Sequence, residues 1–356
     1  MSLTLRPHIA GMPPYRAGRS PKPGPDGRAW KVSSNENPYG PLPGVLEAVA
    51  RSLEEMNRYP DAGNTEMTSA LATRHGLDEE RLAFGTGSVE VLAHLLEATC
   101  GPGDEVVYAW RSFEAYPLAV QVLGARSVQV PLTATGEHDL DAMRAAITPR
   151  TRAVMVCTPN NPTGPAIPHD DLVTFLESVP DDILVIVDEA YVEYVNDPCA
   201  TRGLELLDVH PGVVSLRTFS KAYGLAALRV GWMAAADTEI ARAVRSVTMP
   251  FAISSPAQVA VLASLEAEPE LIGRVRVTIH ERDRIAEELR RLGHRIPATQ
   301  GNFVWFPAGE LTHVWFDAFR EAGLMTRAFA GEGLRVSIAE PDANDRILEV
   351  AGTLLR

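Results

Sequence analysis

The segment ILVIVDEAYVEY (183–194) begins with five consecutive apolar residues and reaches a carboxylate, Asp188, where that run ends. A strand-length run that is apolar on both faces is typical of a parallel sheet covered on both sides. Similar β-rich runs lie at 104–109, 125–132, 152–157 and 213–219. Segments with helical spacing separate most of them, at 118–124, 140–147 and 170–179. This alternation predicts an α/β fold with a mainly parallel sheet between helices.

Composition narrows the class of partner. The chain has 356 residues, of which 46% are hydrophobic, enough for one large core and a smaller second one. Its formal net charge of −13 argues against a nucleic-acid partner and against a basic membrane surface. Three scattered cysteines indicate neither a disulfide framework nor a metal cluster. We find no signal-peptide core and no long apolar run, so we expect small-molecule partners and a cytoplasmic location.

Three segments differ in pattern along the chain. Residues 1–43 are dense in Pro and Gly, which indicates an extended N-terminal arm that needs another surface to lie on, although a disordered tail would have the same composition. Residues 44–249 carry the alternating pattern and are expected to form the large domain. Residues 250–356 are α+β in character and are expected to form a smaller C-terminal domain. Their predicted long helix, two short strands and final helix lie at 270–293, 302–307, 333–340 and 344–355.

Polar residues follow three of the apolar runs, where each strand is expected to end. Asp188 ends one run, CTPNNPTGP (157–165) follows a second, and Lys221 follows a third within RTFSKAYGLAALRVGW (217–232). Each feature alone has an ordinary interpretation: a helix N-cap, a turn, and a structural or surface lysine. Open α/β sheets, however, bind their ligands beyond the carboxyl ends of the strands. The three features together therefore indicate a site.

The three features suit an aldehyde cofactor that carries a pyridine nitrogen and a phosphate. A partly buried lysine has a depressed pKa and can attack an aldehyde, a carboxylate can keep the ring nitrogen protonated, and an asparagine can donate to the ring hydroxyl. The phosphate needs a cradle, and FGTGSVEVLAHLLEA (84–98) offers a glycine loop before an apolar helix. Thr218, Ser220 and Arg229 could donate to the same phosphate. A plain helix start would explain the glycine loop equally well.

A family resemblance covers nearly the whole chain. The motifs that carry it are SSNENPYGP (33–41), NRYPD (57–61), PNNPTG (159–164), VDEAYVEY (187–194), RTFSKAYGLAALRVGW (217–232), NFVWFP (302–307) and GEGLRVSIAEP (331–341). In this order they resemble the histidinol-phosphate aminotransferases and their relatives, which are class I/II pyridoxal-phosphate enzymes of the aspartate aminotransferase fold. The resemblance implies fold-type I, with a seven-stranded large-domain sheet. Within the group, WRSFEAYP (110–117) and SKAYGLA look most like the actinobacterial aromatic, or phenylalanine, aminotransferases.

The resemblance assigns roles around the cofactor, pyridoxal 5′-phosphate. It implies that Lys221 is the catalytic lysine bonded to the cofactor aldehyde and that Asp188 partners the pyridine nitrogen. Asn161 and Tyr191 match the donors to the ring 3′-oxygen, and Phe113 matches the aromatic residue stacked on the ring. The phosphate would be held by Gly87, Ser88, Val89, Thr218, Ser220, Arg229 and, from a neighbouring subunit, Tyr59. A homodimer with shared sites follows from the last assignment.

Four further positions match substrate-binding residues of the family. Arg335 matches the arginine that grips the substrate α-carboxylate. Arg327 matches an arginine that contacts the substrate phosphate in the histidinol-phosphate enzymes. Tyr15 lies on the arm where a substrate-contacting tyrosine is expected, and Asn37 is expected to contact substrate.

The resemblance implies transfer of an amino group from an aromatic amino acid to a 2-oxo acid such as 2-oxoglutarate, in two ping-pong halves. Histidinol phosphate is the alternative substrate, because the two subgroups share every cofactor motif. A decarboxylation or β-elimination on the same scaffold is a third reading. A ligand-sensing regulator is a fourth, but it would need a basic DNA-binding module, and we see none.

Overall fold

Strands and helices alternate through the part of the chain that the computed structural model describes, residues 4–13, 18 and 20–355. The strands are β1 (Trp30–Lys31), β2 (Leu82–Gly85), β3 (Glu105–Trp110), β4 (Arg126–Pro131), β5 (Thr151–Cys157), β6 (Leu184–Asp188), β7 (Val213–Thr218), β8 (Gly231–Ala235), β9 (Phe303–Phe306), β10 (Leu324–Met325), β11 (Arg327–Phe329) and β12 (Gly333–Ser337). The α-helices are α1 (Val45–Ser52), α2 (Thr65–His75), α3 (Ser88–Thr99), α4 (Ala115–Val122), α5 (Leu140–Ala145), α6 (His169–Leu176), α7 (Thr238–Val247), α8 (Ser255–Glu266), α9 (Glu268–Arg291), α10 (Thr312–Glu321) and α11 (Pro341–Ala351).

A seven-stranded sheet forms the centre of the larger part, in the order β2-β8-β7-β6-β5-β3-β4. Its strands run parallel except β8, which is antiparallel to both of its neighbours. The predicted mainly parallel seven-stranded sheet is therefore confirmed. The apolar runs predicted β3 to β7 to within two residues, but β2 and β8 were not among them. Both are short, and β8 (GWMAA) is rich in small residues with low strand propensity.

Helices cover both faces of this sheet, as the two-sided apolar runs require. In β6, Val185 and Val187 face a core that includes side chains of α2, α5, α6 and α8. Leu184 and Ile186 face the opposite core, which includes side chains of α3, α4 and α7. The alternation places every residue of β6 in a buried position, and Asp188 ends the strand at the edge of both cores.

A second, smaller assembly follows in the chain. It is an antiparallel sheet in the order β11-β12-β9, and its core includes side chains of α9, α10 and α11. Val32 lies in the same core, and β1 pairs with β10, so this part of the N-terminal segment lies on the C-terminal assembly. Helix α9 spans both cores, with Leu271 and Val275 in the first and Ile285 and Leu289 in the second. The domain limits at residues 43 and 249 stay a prediction.

The described helices include none that is both long and apolar enough to cross a membrane.

Candidate active site

Three neighbouring parallel strands deliver the predicted reactive groups to one edge of the large sheet. Strands β5, β6 and β7 pair in register, with Cys157 opposite Asp188 and Asp188 opposite Leu216. Because parallel strands end at the same edge, the loops that follow them converge there. Asn161 and Lys221 lie in two of these loops, and Asp188 ends the strand between them.

Lys221 lies partly buried where these loops meet. Its Nζ donates a hydrogen bond of 3.0 Å to the carbonyl oxygen of Ser34 and lies 5.9 Å from the ring centre of Tyr191. Burial, assisted by the positive charge of Arg335, lowers the pKa of this ammonium group to about 7. A substantial fraction of the amine is therefore neutral and nucleophilic near pH 7.

Asp188 is buried and hydrogen-bonded. The Tyr116 hydroxyl donates to Oδ2 at 2.7 Å, and the backbone N–H of Ala190 donates to Oδ1 at 3.3 Å. Burial raises the pKa of Asp188 to about 6, although both hydrogen bonds favour the carboxylate. Sequence reasoning missed Tyr116. The available signal was its spacing of three residues from Phe113, which places the two aromatic residues at the two ends of the turn that leads into α4.

Tyr191, Asn161 and Arg335 form the side of the cluster that faces the C-terminal assembly. The Tyr191 hydroxyl accepts a hydrogen bond of 2.9 Å from Nδ2 of Asn35. Arg335 donates to Oδ1 of Asn161 through Nη1 and to the carbonyl oxygen of Ser33 through Nη2. The structure thus brings together two predicted cofactor contacts and the predicted carboxylate-binding arginine. Asn35, like Tyr116, was not among the residues predicted from the sequence.

Phe113 is held in place by its neighbours. Its ring meets that of Tyr116 edge to face, with 5.7 Å between ring centres. The adjacent Ser112 hydroxyl donates a buried hydrogen bond of 2.8 Å to Oδ1 of Asn160. Since Asn160 lies beside Asn161, this bond ties the loop that carries Phe113 to the loop after β5.

Several residues predicted to hold the phosphate lie together at the start of α3. Gly87 precedes the helix with φ of 95°, and a Cβ at this position would collide with the guanidinium group of Arg229. Arg229 also donates to the hydroxyl of Ser220 at 3.2 Å. A helix N-terminus and an arginine that meet at a glycine are features that favour an anion.

The remaining members of the predicted cradle lie around these. Thr218 donates through its hydroxyl to the hydroxyl of Ser220 at 3.0 Å. Ser88 and Val89 are the first two residues of α3, where backbone N–H groups lack partners within the helix.

Comparison with known proteins decides the family. The sequence profile described as "Aminotransferase class I and II" matches residues 29–350. The chain belongs to the class I and II aminotransferases.

Relatives and solved structures agree with this assignment. An aromatic amino acid aminotransferase of Thermobifida fusca (strain YX) is 52% identical over 349 residues, covering 98% of this chain and 96% of the relative. One from Streptomyces avermitilis is 52% identical over 346 residues, covering 97% and 96%. The crystal structure of histidinol-phosphate aminotransferase from Sinorhizobium meliloti in complex with pyridoxal-5′-phosphate superposes with a TM-score of 0.87 at 24% identity, covering 99% and 97%. The predicted family, fold type and transferase class are confirmed.

One predicted residue of this aminotransferase, Tyr59, lies outside the buried cluster. Tyr59 is 81% exposed, and its ring stacks on that of Phe251 with 4.5 Å between centres. Tyr15 falls outside the described residues. The roles proposed for both stay predictions.

Two other predicted substrate contacts of the aminotransferase have partners within the chain. Asn37 donates through Nδ2 to the carbonyl oxygen of Ala222 at 2.7 Å, so it supports the backbone next to Lys221. Arg327 donates to Oε2 of Glu114 through Nε at 3.0 Å and Nη2 at 2.8 Å. Glu114 could not be predicted as a site residue, because its partner Arg327 lies 213 positions away in the sequence.

Proposed function

We propose that this aminotransferase uses pyridoxal 5′-phosphate to move an amino group between an aromatic amino acid and a 2-oxo acid such as 2-oxoglutarate. One observation supports this cofactor above the others. Lys221, an amine of lowered pKa, and Asp188, a buried carboxylate, lie at the ends of two adjacent strands. The aromatic substrate is supported by two relatives, both aromatic amino acid aminotransferases, that share about half of their residues with this chain.

The residues present fit this cofactor. Arg229, Ser220 and the glycine-led start of α3 suit its phosphate, and Lys221 suits its aldehyde. Asp188 suits its ring nitrogen, because a buried carboxylate gains from a positive partner. The remaining proposed contacts are Gly87, Ser88, Val89, Phe113, Asn161, Tyr191 and Thr218. When bound, pyridoxal phosphate supplies an electron sink for a carbanion at the substrate α-carbon.

Three side chains have separate proposed roles in the reaction. Nζ of Lys221 would accept the Cα proton of the amino acid and release it to the cofactor carbon within the same half reaction, and the opposite half reaction would run both transfers in reverse. A pKa of about 7 lets this amine both accept and release a proton. Asp188 must be ionised to hold a positive ring nitrogen, and a pKa of about 6 permits this at neutral pH. Arg335, which donates to Asn161 and to the Ser33 carbonyl oxygen, supplies a planar guanidinium group of the kind that suits an α-carboxylate.

The working unit is proposed to be a homodimer. Tyr59 and Phe251 form an exposed aromatic pair, with Met56 and Met249 also largely exposed nearby in sequence. Exposed apolar clusters of this kind favour association. In such a dimer Tyr59 would reach the cofactor phosphate of the neighbouring subunit.

The test of the cofactor is spectroscopic. Protein supplied with pyridoxal phosphate should show an absorbance band near the edge of the visible range, and borohydride should fix the cofactor to the peptide that contains Lys221. The Lys221→Ala protein should lack both. A wild-type protein without the band, or with the label on another lysine, would contradict the assignment.

The test of the substrate is a steady-state comparison of phenylalanine, tyrosine and histidinol phosphate with 2-oxoglutarate as acceptor. We expect phenylalanine or tyrosine to have the highest kcat/KM. Histidinol phosphate is the second candidate because Arg327, which matches a phosphate-contacting arginine, is present directly opposite Arg335 in the β11–β12 pair. A kcat/KM that is much the highest for histidinol phosphate would replace the aromatic assignment.

A further inference from the structure

We infer that Glu114, by pairing with Arg327, selects which acid group of the substrate binds beside Arg335. The pair favours a singly charged carboxylate there. The same pair disfavours substrates that carry a doubly charged phosphate ester in that place. This inference rests on the proposed aminotransferase function and names the feature that selects its substrate class.

The pair links the start of α4, in the larger part of the chain, to the C-terminal sheet. Glu114 directly follows Phe113 at the start of α4, and Arg327 begins β11. Both guanidinium hydrogen bonds end on the same carboxylate oxygen, at 2.8 Å and 3.0 Å. The side chain of Arg327 is 16% exposed and that of Glu114 is 30% exposed, so water screens the pair only in part.

Arg327 lies next to the arginine proposed to bind the substrate acid. In the antiparallel pair of β11 and β12, Arg327 is directly opposite Arg335. Side chains directly opposite in such a pair share one face of the sheet, with Cβ atoms about 5 Å apart. Arg335 reaches Asn161, in the loop after β5, from this face, so Arg327 lies on the same face as the arginine proposed to bind the substrate acid.

The charges decide which anion fits. Without Glu114, Arg327 would add a positive charge beside Arg335, which a phosphate dianion needs more than a carboxylate does. With Glu114, Arg327 contributes no net charge, and an incoming phosphate meets the like charge of the glutamate. An α-carboxylate needs only the planar fork of Arg335. The pair therefore acts against the wrong substrate more than in favour of the right one.

A purely structural role is the alternative, and the chain offers a matched control for it. Arg111 and Glu332 form a second ion pair between the same two segments, with Nε donating to Oε2 at 2.8 Å. The charges are arranged the other way round, because here the segment before α4 supplies the cation, Arg111, and the C-terminal sheet supplies the anion, Glu332. If Glu114 only held the assemblies together, removing Glu332 would have the same consequences.

The experiment measures kcat/KM of the holoenzyme for L-phenylalanine and for L-histidinol phosphate. In Glu114→Gln we expect the ratio of histidinol phosphate to phenylalanine to rise at least about tenfold, because a like charge is removed and a cation is released. Glu332 lies in the turn between β11 and β12, beyond the end of the pair away from Arg327 and Arg335. In Glu332→Gln the ratio should therefore stay within about twofold of the wild type. In the double variant Glu114→Gln/Arg327→Gln the gain should disappear.

Inorganic phosphate supplies a second readout that needs no phosphorylated substrate. As an inhibitor competing with phenylalanine, it should bind more tightly to Glu114→Gln than to the wild type or to Glu332→Gln. If Glu114→Gln does not fold, as judged by its thermal transition, Glu114→Ala carries the same measurements.

The outcomes separate this inference from the proposed function. A ratio that is unchanged in Glu114→Gln, or that rises equally in Glu332→Gln, overturns the inference while leaving aromatic amino transfer intact. A wild-type enzyme that does not use phenylalanine overturns the proposed function itself. A gain that survives in the double variant shows that it does not come through Arg327, and this also overturns the inference.

Discussion

The hydroxyl of Tyr116 donates a buried hydrogen bond of 2.7 Å to Oδ2 of Asp188. Tyr116 is fully enclosed, so its hydroxyl has little access to water and Asp188 is its partner. The bond matters because burial pushes the pKa of Asp188 up to about 6, while the proposed chemistry needs a carboxylate. Tyr116 is thus a positioning residue that acts through Asp188.

The variant Tyr116→Phe should shift the acid limb of the pH profile of kcat/KM to higher pH. The lost hydrogen bond favoured the ionised form, so its removal raises the pKa of Asp188 further. A hydrogen bond to a charged group contributes about 1.5 to 3 kcal/mol, which corresponds to a shift of about one pH unit or more. Activity should therefore fall at pH 6.5 and recover in part at pH 8.5.

Tyr108→Phe is the matched control for this shift. Tyr108 is also buried and packs edge to face on Tyr116, but its hydroxyl accepts from Gln129 and does not contact Asp188. A general packing defect would reduce kcat/KM at every pH in both variants. If the Tyr116→Phe profile superimposes on that of the wild type, the hydrogen bond has no role in the ionisation of Asp188.

Much of the large sheet could be predicted because its signal is local. In β6 every residue from Leu184 to Asp188 is buried, and the unbroken apolar run reflects the packing of both faces of the strand against a core. Strand β8 has no comparable apolar run, because Gly231 and the two alanines of this strand are small residues that fit a crowded position. The crowding comes from residues that are distant in the sequence. A Cβ at Gly231 would overlap the backbone of Ser88, a contact that exists only after the chain has folded.

The site divides in the same way. Asp188, Asn161 and Lys221 follow apolar runs and could be predicted as residues that converge, since the carboxyl ends of parallel strands meet. Asn35 and Glu114 could not, because each depends on a partner far away in sequence. Asn35 bonds Ser337 from 302 positions away, and Glu114 bonds Arg327 from 213 positions away.

Arg335 gives a prediction about the substrate acid group. Arg335→Ala should raise KM for phenylalanine roughly 10- to 100-fold, because a charge-assisted hydrogen bond to the carboxylate is lost. The KM of Arg335→Lys should lie between those of the wild type and Arg335→Ala, since an ammonium group keeps the charge but lacks the two-pronged geometry of the guanidinium group. Phenethylamine, which lacks the carboxylate, is the control substrate: any weak activity with it should be affected much less. An equal loss with both substrates would indicate damage to the site rather than a lost carboxylate contact.

Asn35 gives a prediction about stability. Its side chain donates to the Tyr191 hydroxyl at 2.9 Å and accepts from the Ser337 hydroxyl at 2.8 Å, all within the buried interior. Asn35→Ala should lower the free energy of unfolding by about 2 to 3 kcal/mol, because two hydrogen bonds are lost and their partners stay buried. Urea unfolding of the wild type and the variant measures the difference.

Asn64→Ala controls for backbone strain in that measurement. Both asparagines have φ of 52°, a left-handed conformation that alanine adopts at a cost of about 1 kcal/mol. Asn64 is only half-buried, and its side chain accepts one bond of 3.2 Å from Gln258. If the two variants lose the same free energy, strain accounts for both and the buried hydrogen bonds of Asn35 contribute nothing measurable.

The proposed dimer makes a prediction about mixed subunits. Tyr59→Phe removes the hydroxyl proposed to reach a neighbour's cofactor phosphate, and Lys221→Ala removes the catalytic amine. In a mixed dimer, one site combines an intact Lys221 with an intact Tyr59 from the other subunit, while the second site carries both defects. Subunits mixed after mild dissociation should therefore recover activity up to about that of one wild-type site for each mixed dimer.

The controls for the mixture are each variant dissociated and reassociated alone. Lys221→Ala should stay inactive, and Tyr59→Phe should keep its own reduced activity with a raised apparent Kd for the cofactor. Because Tyr59 is 81% exposed in the single chain, a role in its own subunit's site would require it to leave the surface it occupies with Phe251. Recovery in the mixture can arise only if Tyr59 serves the other subunit. Activity equal to the sum of the two variants would mean that Tyr59 serves no neighbouring site.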